Sequence, residues 1–344
     1  MVHNLFGERF VGHREAAWHG LGQVFTDPIS VTEAMQQGGM LYGIKKEPLY
    51  VCIGDEYREI VDRKALMRDL TQDDPEYRFF EIVSNDYDLT QNADLAAMFD
   101  PISNLWPTET VGALGHGETV FFTLDAGEMD VKGDLVKQYF LITDTRTGMK
   151  GLSIAFTGIR VVCQNTLIAG LKAASVSSSL KHNEGLRDNL NLRVELIAKM
   201  QASKAAMAAI FSRLGDTVIT MEEAERVFEA AYPAPHKSAL LILKDDGIEL
   251  GEKWSKKIAA GMYQHDLAES NAVECRVAAK ELYEKFNDET PSLANTPWAS
   301  YQAVTELATW RSGRIEDAIL RSVVFGTRAQ ESRRALDAAY KLCR

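Results

Sequence analysis

The chain lacks any long apolar run. Nothing in it approaches the roughly 18 residues that cross a membrane as a helix, so no membrane partner is expected. Its first residues, MVHNLFGERF, carry no apolar stretch after the early charges and do not read as a secretory signal. Cysteine is scarce: Cys52, Cys163, Cys275 and Cys343 are scattered, with no CxxC pair. That excludes a zinc knuckle, argues against a disulfide framework, and points to a reducing cytoplasm. No GK[ST] occurs, no HRD or DFG accompanies the glycines of GLGQVF, and no HExxH accompanies His3, His13 and His19. Phosphate-loop, kinase and zinc-hydrolase readings lose their support. Internal repeats and low-complexity tracts are also missing.

What is present is an ordinary globular composition. The 344 residues are 46% hydrophobic and 25% charged, enough for one large domain or two. The net charge of −11 argues at first against a polyanion. Its distribution is uneven. Residues 1–131 hold 9 Lys/Arg and 23 Asp/Glu; residues 132–187 hold 8 and 3, a net of +5. Residues 188–344 hold 21 and 23. A single basic segment therefore interrupts an acidic chain.

Periodicity divides the chain into a β-rich domain, 1–187, and a helical region, 188–344. LYVCIGDEYREIV reads as two short strands around Gly54-Asp55-Glu56, and YRFFEIVSNDYDL as another. QNADLAAMFDP reads as a short helix stopped before Pro101. TVGALGHGETVFFTLD, DLVKQYFLITD and GLSIAFTGIRVVC form an antiparallel meander, turning at Thr145-Arg146-Thr147-Gly148. From 188 onward NLNLRVELIAKMQASKAAMAAIFSRLG is a helix with Gly215 at its C-cap. Further helices are expected at about 221–231, 250–287, 298–310 and 314–342. The predicted fold class is α+β: an antiparallel β-meander with a packed helix in the N-terminal half, and a helical C-terminal half.

GIRVVCQNTLIAGLK, residues 158–172, joins strand to helix. Uninterrupted alternation puts Arg160 on the apolar face; a bulge at Gly158 sends Arg160 outward and Cys163 inward. Asn165 then caps the helix. Cys163 as a nucleophile at that helix start is the sharper alternative, but no Cys-His signature supports it. The acids of TQDDPE, GDEYRE and MEEAERVFEA read as solvated loops and faces. No catalytic residue, metal ligand or cofactor is assigned.

AWHGLG, NDYDLTQN, GETVFF, RVVCQNTLIAGL with KHNEGLR, and PWASYQAVTE occur in that order. Together they resemble the uncharacterised phage/plasmid-like protein family, a domain of unknown function in phages, prophages and plasmids. The resemblance covers nearly the whole chain and implies an accessory role in mobile DNA. Gln302 stands where that family often has Asn. The meander, packed helix and basic segment are more remotely similar to single-strand annealing recombinases, the eukaryotic rings and the phage Red-beta type. That likeness implies a homo-oligomeric ring or helix that lays single-stranded DNA in a basic groove without nucleotide hydrolysis.

The expected nucleic-acid-binding residues are Lys132, Lys137, Arg146, Lys150, Arg160, Lys172 and Lys181, which would neutralise phosphates. Tyr139, Phe140 and Phe156 are either stacking platforms or core. Strands at 49–61 and 79–83 offer edges for contact between protomers. The alternatives are a phage-encoded interaction factor that blocks a host defence or regulator through the acidic half, and an enzyme using Cys163 or the acids. The expected setting is the cytoplasm of a bacterial host.

Overall fold

The computed structural model describes residues 5–14, 22–72, 74–147, 151–157, 177–180, 190–248, 254–310 and 327–344. Two compact units divide the chain: Met1–Asp130 with Asp134–Ala208, and Val131–Gly133 with Ala209–Arg344. The boundary expected between 187 and 188 lies outside the described residues, as do the Gly158 bulge, Cys163 and the helix after Asn165.

The first unit is α+β, as expected. Its elements are β1 Leu5–His13, β2 Gln23–Phe25, α1 Val31–Gln37, β3 Ile44–Ile53, β4 Glu56–Arg68, β5 Arg78–Ser84, α2 Asn92–Ser103, β6 Thr108–Leu114, β7 Thr119–Val131, β8 Asp134–Thr145, β9 Leu152–Thr157 and β10 Ser177–Leu180. Helix α3, Leu190–Asp216, begins in it. One sheet has seven strands in the order β10-β9-β8-β7-β6-β1-β2. The stretch β6 to β9 is the predicted meander, each strand beside its neighbour in sequence.

Burial explains why this sheet forms. Val120–Leu124 and Tyr139–Asp144 are buried at every position, so both faces are covered. Phe99 of α2 meets Phe122 of β7 at 5.0 Å between ring centres, and Trp106 meets Phe140 at 4.7 Å. Each large side chain so covered contributes about 1.5–3 kcal/mol. Helix α1 starts with a capping box: Glu33 N–H donates to Ser30 Oγ at 3.1 Å, and Ser30 N–H to the Glu33 carboxylate at 2.8 Å. Helix α2 departs from expectation by running through Pro101 to Ser103. A proline in the last turn removes one donor only, and buried Ile102 holds the turn in place.

The second sheet is β3-β4-β5, antiparallel throughout. The expected hairpin is present and much longer than two short strands, turning at Gly54 with φ +63°. Its base is anchored by Arg68. That side chain is fully buried, lies 4.3 Å from the Phe6 ring centre, and donates to Asp74 Oδ2 at 2.7 Å. Between the pairs Pro48–Lys64 and Tyr50–Glu59 the register slips, and Ile60–Arg63 stand against Leu49 alone. Beyond that slip the hairpin is exposed on both faces.

The second unit is helical among its described residues: the end of α3, α4 Met221–Ala231, α5 Ala239–Asp245, α6 Ser255–Glu289, α7 Pro297–Trp310 and α8 Thr327–Leu342. Trp298, from the PWASYQAVTE stretch, is fully buried with its ring 4.8 Å from that of Phe211. Thr220 and Glu223 form a second capping box at α4. Gly215 is no C-cap: α3 continues through it. A Cβ there would stand 2.9 Å from Val131 Cγ1 and 3.2 Å from Leu293 Cδ2, so glycine serves a close approach. Helix α5 has no counterpart among the sequence-based expectations.

Candidate nucleic-acid interface

Three of the seven expected cationic residues are described, and they have three different environments. Lys137 is on β8 with its side chain exposed. Lys132, in the turn after β7, is half-exposed and pairs with Asp216 at 3.0 Å. Its ammonium, followed by the Ser212 hydroxyl, holds the Asp216 carboxyl below its ordinary range. Arg146 lies in the interior. Its Nη2 reaches Asp144 Oδ2 at 2.9 Å and donates to the Thr90 carbonyl at 3.2 Å, with both charged side chains fully covered. No face of that guanidinium is open to a phosphate. Lys150, Arg160, Lys172 and Lys181 lie outside the described residues. Lys132 falls in the second unit, Lys137 and Arg146 in the first.

The aromatic candidates are core. Tyr139, Phe140 and Phe156 are buried, and the rings of Phe140 and Phe156 lie 5.3 Å apart. Phe140 and Phe156 border an apolar groove of about 420 Å³, lined also by Ile154, Leu196, Lys199 and Met200. Lys199 pairs with Glu195 at 2.6 Å.

Other charged groups prove to be structural. Asp74 of TQDDPE is no solvated loop residue. Hydrogen bonds from Arg78, and then Arg68, hold its carboxyl down at about 2. His13 is packed: Nε2 lies 3.2 Å from the Thr26 carbonyl, Nδ1 lies 3.4 Å from Glu109, and the ring stacks on Phe25 at 5.0 Å. His3 and His19 are outside the described residues.

The second unit contains a larger cavity of about 740 Å³, lined among others by Tyr232, Pro233, Cys275, Leu307, Glu331 and Arg334. Its arginine is occupied, because Arg334 donates to the Ala231 carbonyl, as Arg276 does to that of Tyr232 at 2.9 Å. Both cap the C-terminal carbonyls of α4. Among the described lining residues there is no histidine; the carboxylates there are Glu274 and Glu331. His265, Asp266 and Glu269 of α6 bring ligand-type atoms within 4.8 Å of one another, the histidine half-buried and the two acids exposed. No described helix is long and apolar enough to cross a membrane.

Sequence reasoning missed the Arg146–Asp144 pair. The signal was available: Asp144 is near the end of β8 and Arg146 follows it by two, so alternation carried one residue past the strand puts both on one side.

No curated protein and no solved structure matches the chain. The family described as "Domain of unknown function (DUF932)" matches residues 79–340, from β5 into the last turn of α8. With that span covered, the chain belongs to the DUF932 family.

Proposed function

We propose that this protein binds single-stranded DNA and anneals complementary strands without catalysis, in the recombination or replication of a phage or plasmid in a bacterial cytoplasm. The observation that carries the reading is the net +5 of residues 132–187 within a chain of net −11. Local positive charge attracts phosphate, while the negative remainder discourages indiscriminate coating. The phosphate contacts are Lys137, exposed on β8, with Lys150, Arg160, Lys172 and Lys181; Lys132 contributes once released from Asp216. Arg146 is left out because its charge faces Asp144. Annealing needs strands held extended, and a homo-oligomeric ring or helix that repeats the basic segment provides that without new contacts.

A gel shift of a fluorescent single-stranded oligonucleotide at two salt concentrations tests this. Binding weakens with salt, and each lost phosphate contact reduces the log–log slope by roughly 0.7. The variant Lys137→Glu/Lys150→Glu/Arg160→Glu binds more weakly, with a slope shallower by roughly 2. Wild-type protein that fails to bind at low salt ends the reading. The interaction-factor alternative, acting through the acidic half, then takes its place.

A further inference from the structure

The hairpin of β3 and β4 ends as bare chain. Tyr57 is 77% exposed and Val61 74%, and Tyr50, Val51 and Ile53 are also exposed. A lone two-stranded hairpin is marginal in water. Further along the same sheet, buried Ala65 pairs with Ile82 and Met67 with Phe79; Ile82 is 51% exposed and Phe79 54%. Lys45 and Glu47, opposite Met67 and Ala65, border this apolar centre. An exposed apolar patch with a charged rim marks a contact surface.

The charges of the sheet exclude a polyanion as its occupant. Residues 44–88 hold seven Lys/Arg and twelve Asp/Glu. The cations already face acids: Arg58 with Glu56 at 3.1 Å, Lys64 with Glu59 at 2.8 Å, Lys45 with Asp69 at 3.1 Å. Interleaved signs around apolar side chains fit a protein.

The backbone narrows the choice further. At the base of β3 the outer edge is closed, because Ile44 N–H donates to Gln91 Oε1 at 3.0 Å and Gln91 Nε2 to the Ile44 carbonyl at 2.8 Å. Alternation from Ile44 turns Pro48 toward the same edge, where it offers no donor. On β5, Ile82 N–H is taken by the Glu81 carboxylate at 3.1 Å. The tip, Tyr50–Ile53 with Glu56–Glu59, keeps its outer edges unpaired among the described residues. The β4 side of the tip carries Glu56, Arg58 and Glu59, so an approaching apolar strand would meet charges there. The β3 tip, residues 49–53, carries no charge, and alternation turns Tyr50 and Cys52 to the outer edge. Pairing that edge with its own copy about Val51 sets Tyr50 against Cys52 and Val51 against Val51, apolar and β-branched neighbours that stabilise a sheet.

We infer that two copies of this chain join through the β3 edge of the hairpin tip, continuing the sheet across a two-fold axis. The inference deepens the homo-oligomeric part of the proposed function and does not need DNA. A ring or helix requires a second contact besides this one. Aromatic side chains bury roughly 150–250 Å² each when covered. The tip has two, Tyr50 and Tyr57, so two copies cover roughly 600–1,000 Å² of aromatic surface, the size of a weak contact, and the dimer depends on concentration.

Light scattering of the full chain without DNA, over rising concentration, tests it. Wild-type protein moves from the 38.3 kDa of one chain toward twice that mass. Val51→Asp/Ile53→Asp remains at one chain with an unchanged melting temperature, because both side chains are solvent-exposed. A short bismaleimide links two wild-type copies through Cys52, which is exposed on the tip, and Cys52→Ser removes that product. A wild-type mass of one chain up to about 1 mM, where even a free energy near −4 kcal/mol would register, overturns the inference. So does a dimer that survives Val51→Asp/Ile53→Asp. Either result leaves the oligonucleotide gel shift free to succeed or fail by itself.

Discussion

Replacing Asp144 by asparagine leaves Arg146 charged in the interior with its close anionic partner gone. The guanidinium keeps one bond, to the Thr90 carbonyl at 3.2 Å, while Nε and Nη1 have no partner among the described residues. Breaking a buried pair from one side costs about 3–5 kcal/mol, because the remaining charge stays desolvated. With a urea slope of about 2 kcal/mol per molar, the midpoint for the first unit falls by about 2 M. The double replacement Asp144→Leu/Arg146→Met removes both charges at similar volume and returns most of that loss, since well-packed apolar pairs match buried ion pairs. Urea titrations followed by circular dichroism on wild type, Asp144→Leu, Arg146→Met and the double variant give the coupling directly. An Asp144→Asn protein within about 1 kcal/mol of wild type would show that Arg146 is hydrated. That outcome would return Arg146 to the phosphate-binding set.

Three other outcomes are expected. Burial pushes the Tyr42 phenol up to about 12, above its unfolded value near 10. The stability it contributes is therefore complete below about pH 10 and is lost as pH rises toward 12. Tyr42→Phe reduces that alkaline decline and costs about 1 kcal/mol at neutral pH through the lost bond to the Gly117 carbonyl; an equally steep decline in the variant contradicts this. Asp74, held at about 2, stabilises the fold above its unfolded value near 3.9, and that stability is lost as pH falls toward 2. Asp74→Asn makes the acid melting profile shallower over that window, and an unchanged profile excludes the pair as its source. Gly215→Ala gains about 1 kcal/mol of helix propensity but presses on Val131 and Leu293. Overpacking of about 1–3 kcal/mol wins, and chemical denaturation shows a net loss.

The elements that sequence reading recovered are those whose signal is local. The meander from β6 to β9 follows from alternation broken by turn residues, and the helix expected at about 221–231 is α4, whose capping box of Thr220 and Glu223 the structure adds. Where tertiary contact decided, local signals misled. Gly215 looks like a helix stop because glycine usually is one; here the space taken by Val131 and Leu293 requires it. Pro101 looks like a terminator, yet two more residues fit behind it. Arg146 beside a glycine-containing turn reads as solvent-facing, and only its spacing from Asp144 hints otherwise. Asp74 sits among turn-forming residues, while the arginines that hold it come from β4 and β5. Those partners cannot be paired from composition.

Gln91 gives the three-stranded sheet a direction of growth. A side-chain amide carries the same donor and acceptor as a peptide unit, and at Ile44 it takes the place that one residue of a neighbouring strand would occupy. A fourth strand approaching from that end would have to evict it and break two hydrogen bonds before making any. Among the described residues no such plug guards the far end of β3. The sheet is thus finished at its root and unfinished at its tip. Such asymmetry confines accidental pairing, the usual hazard of an open strand, to one short stretch of backbone. Selection can tune four residues there without disturbing the anchor that Arg68 provides below.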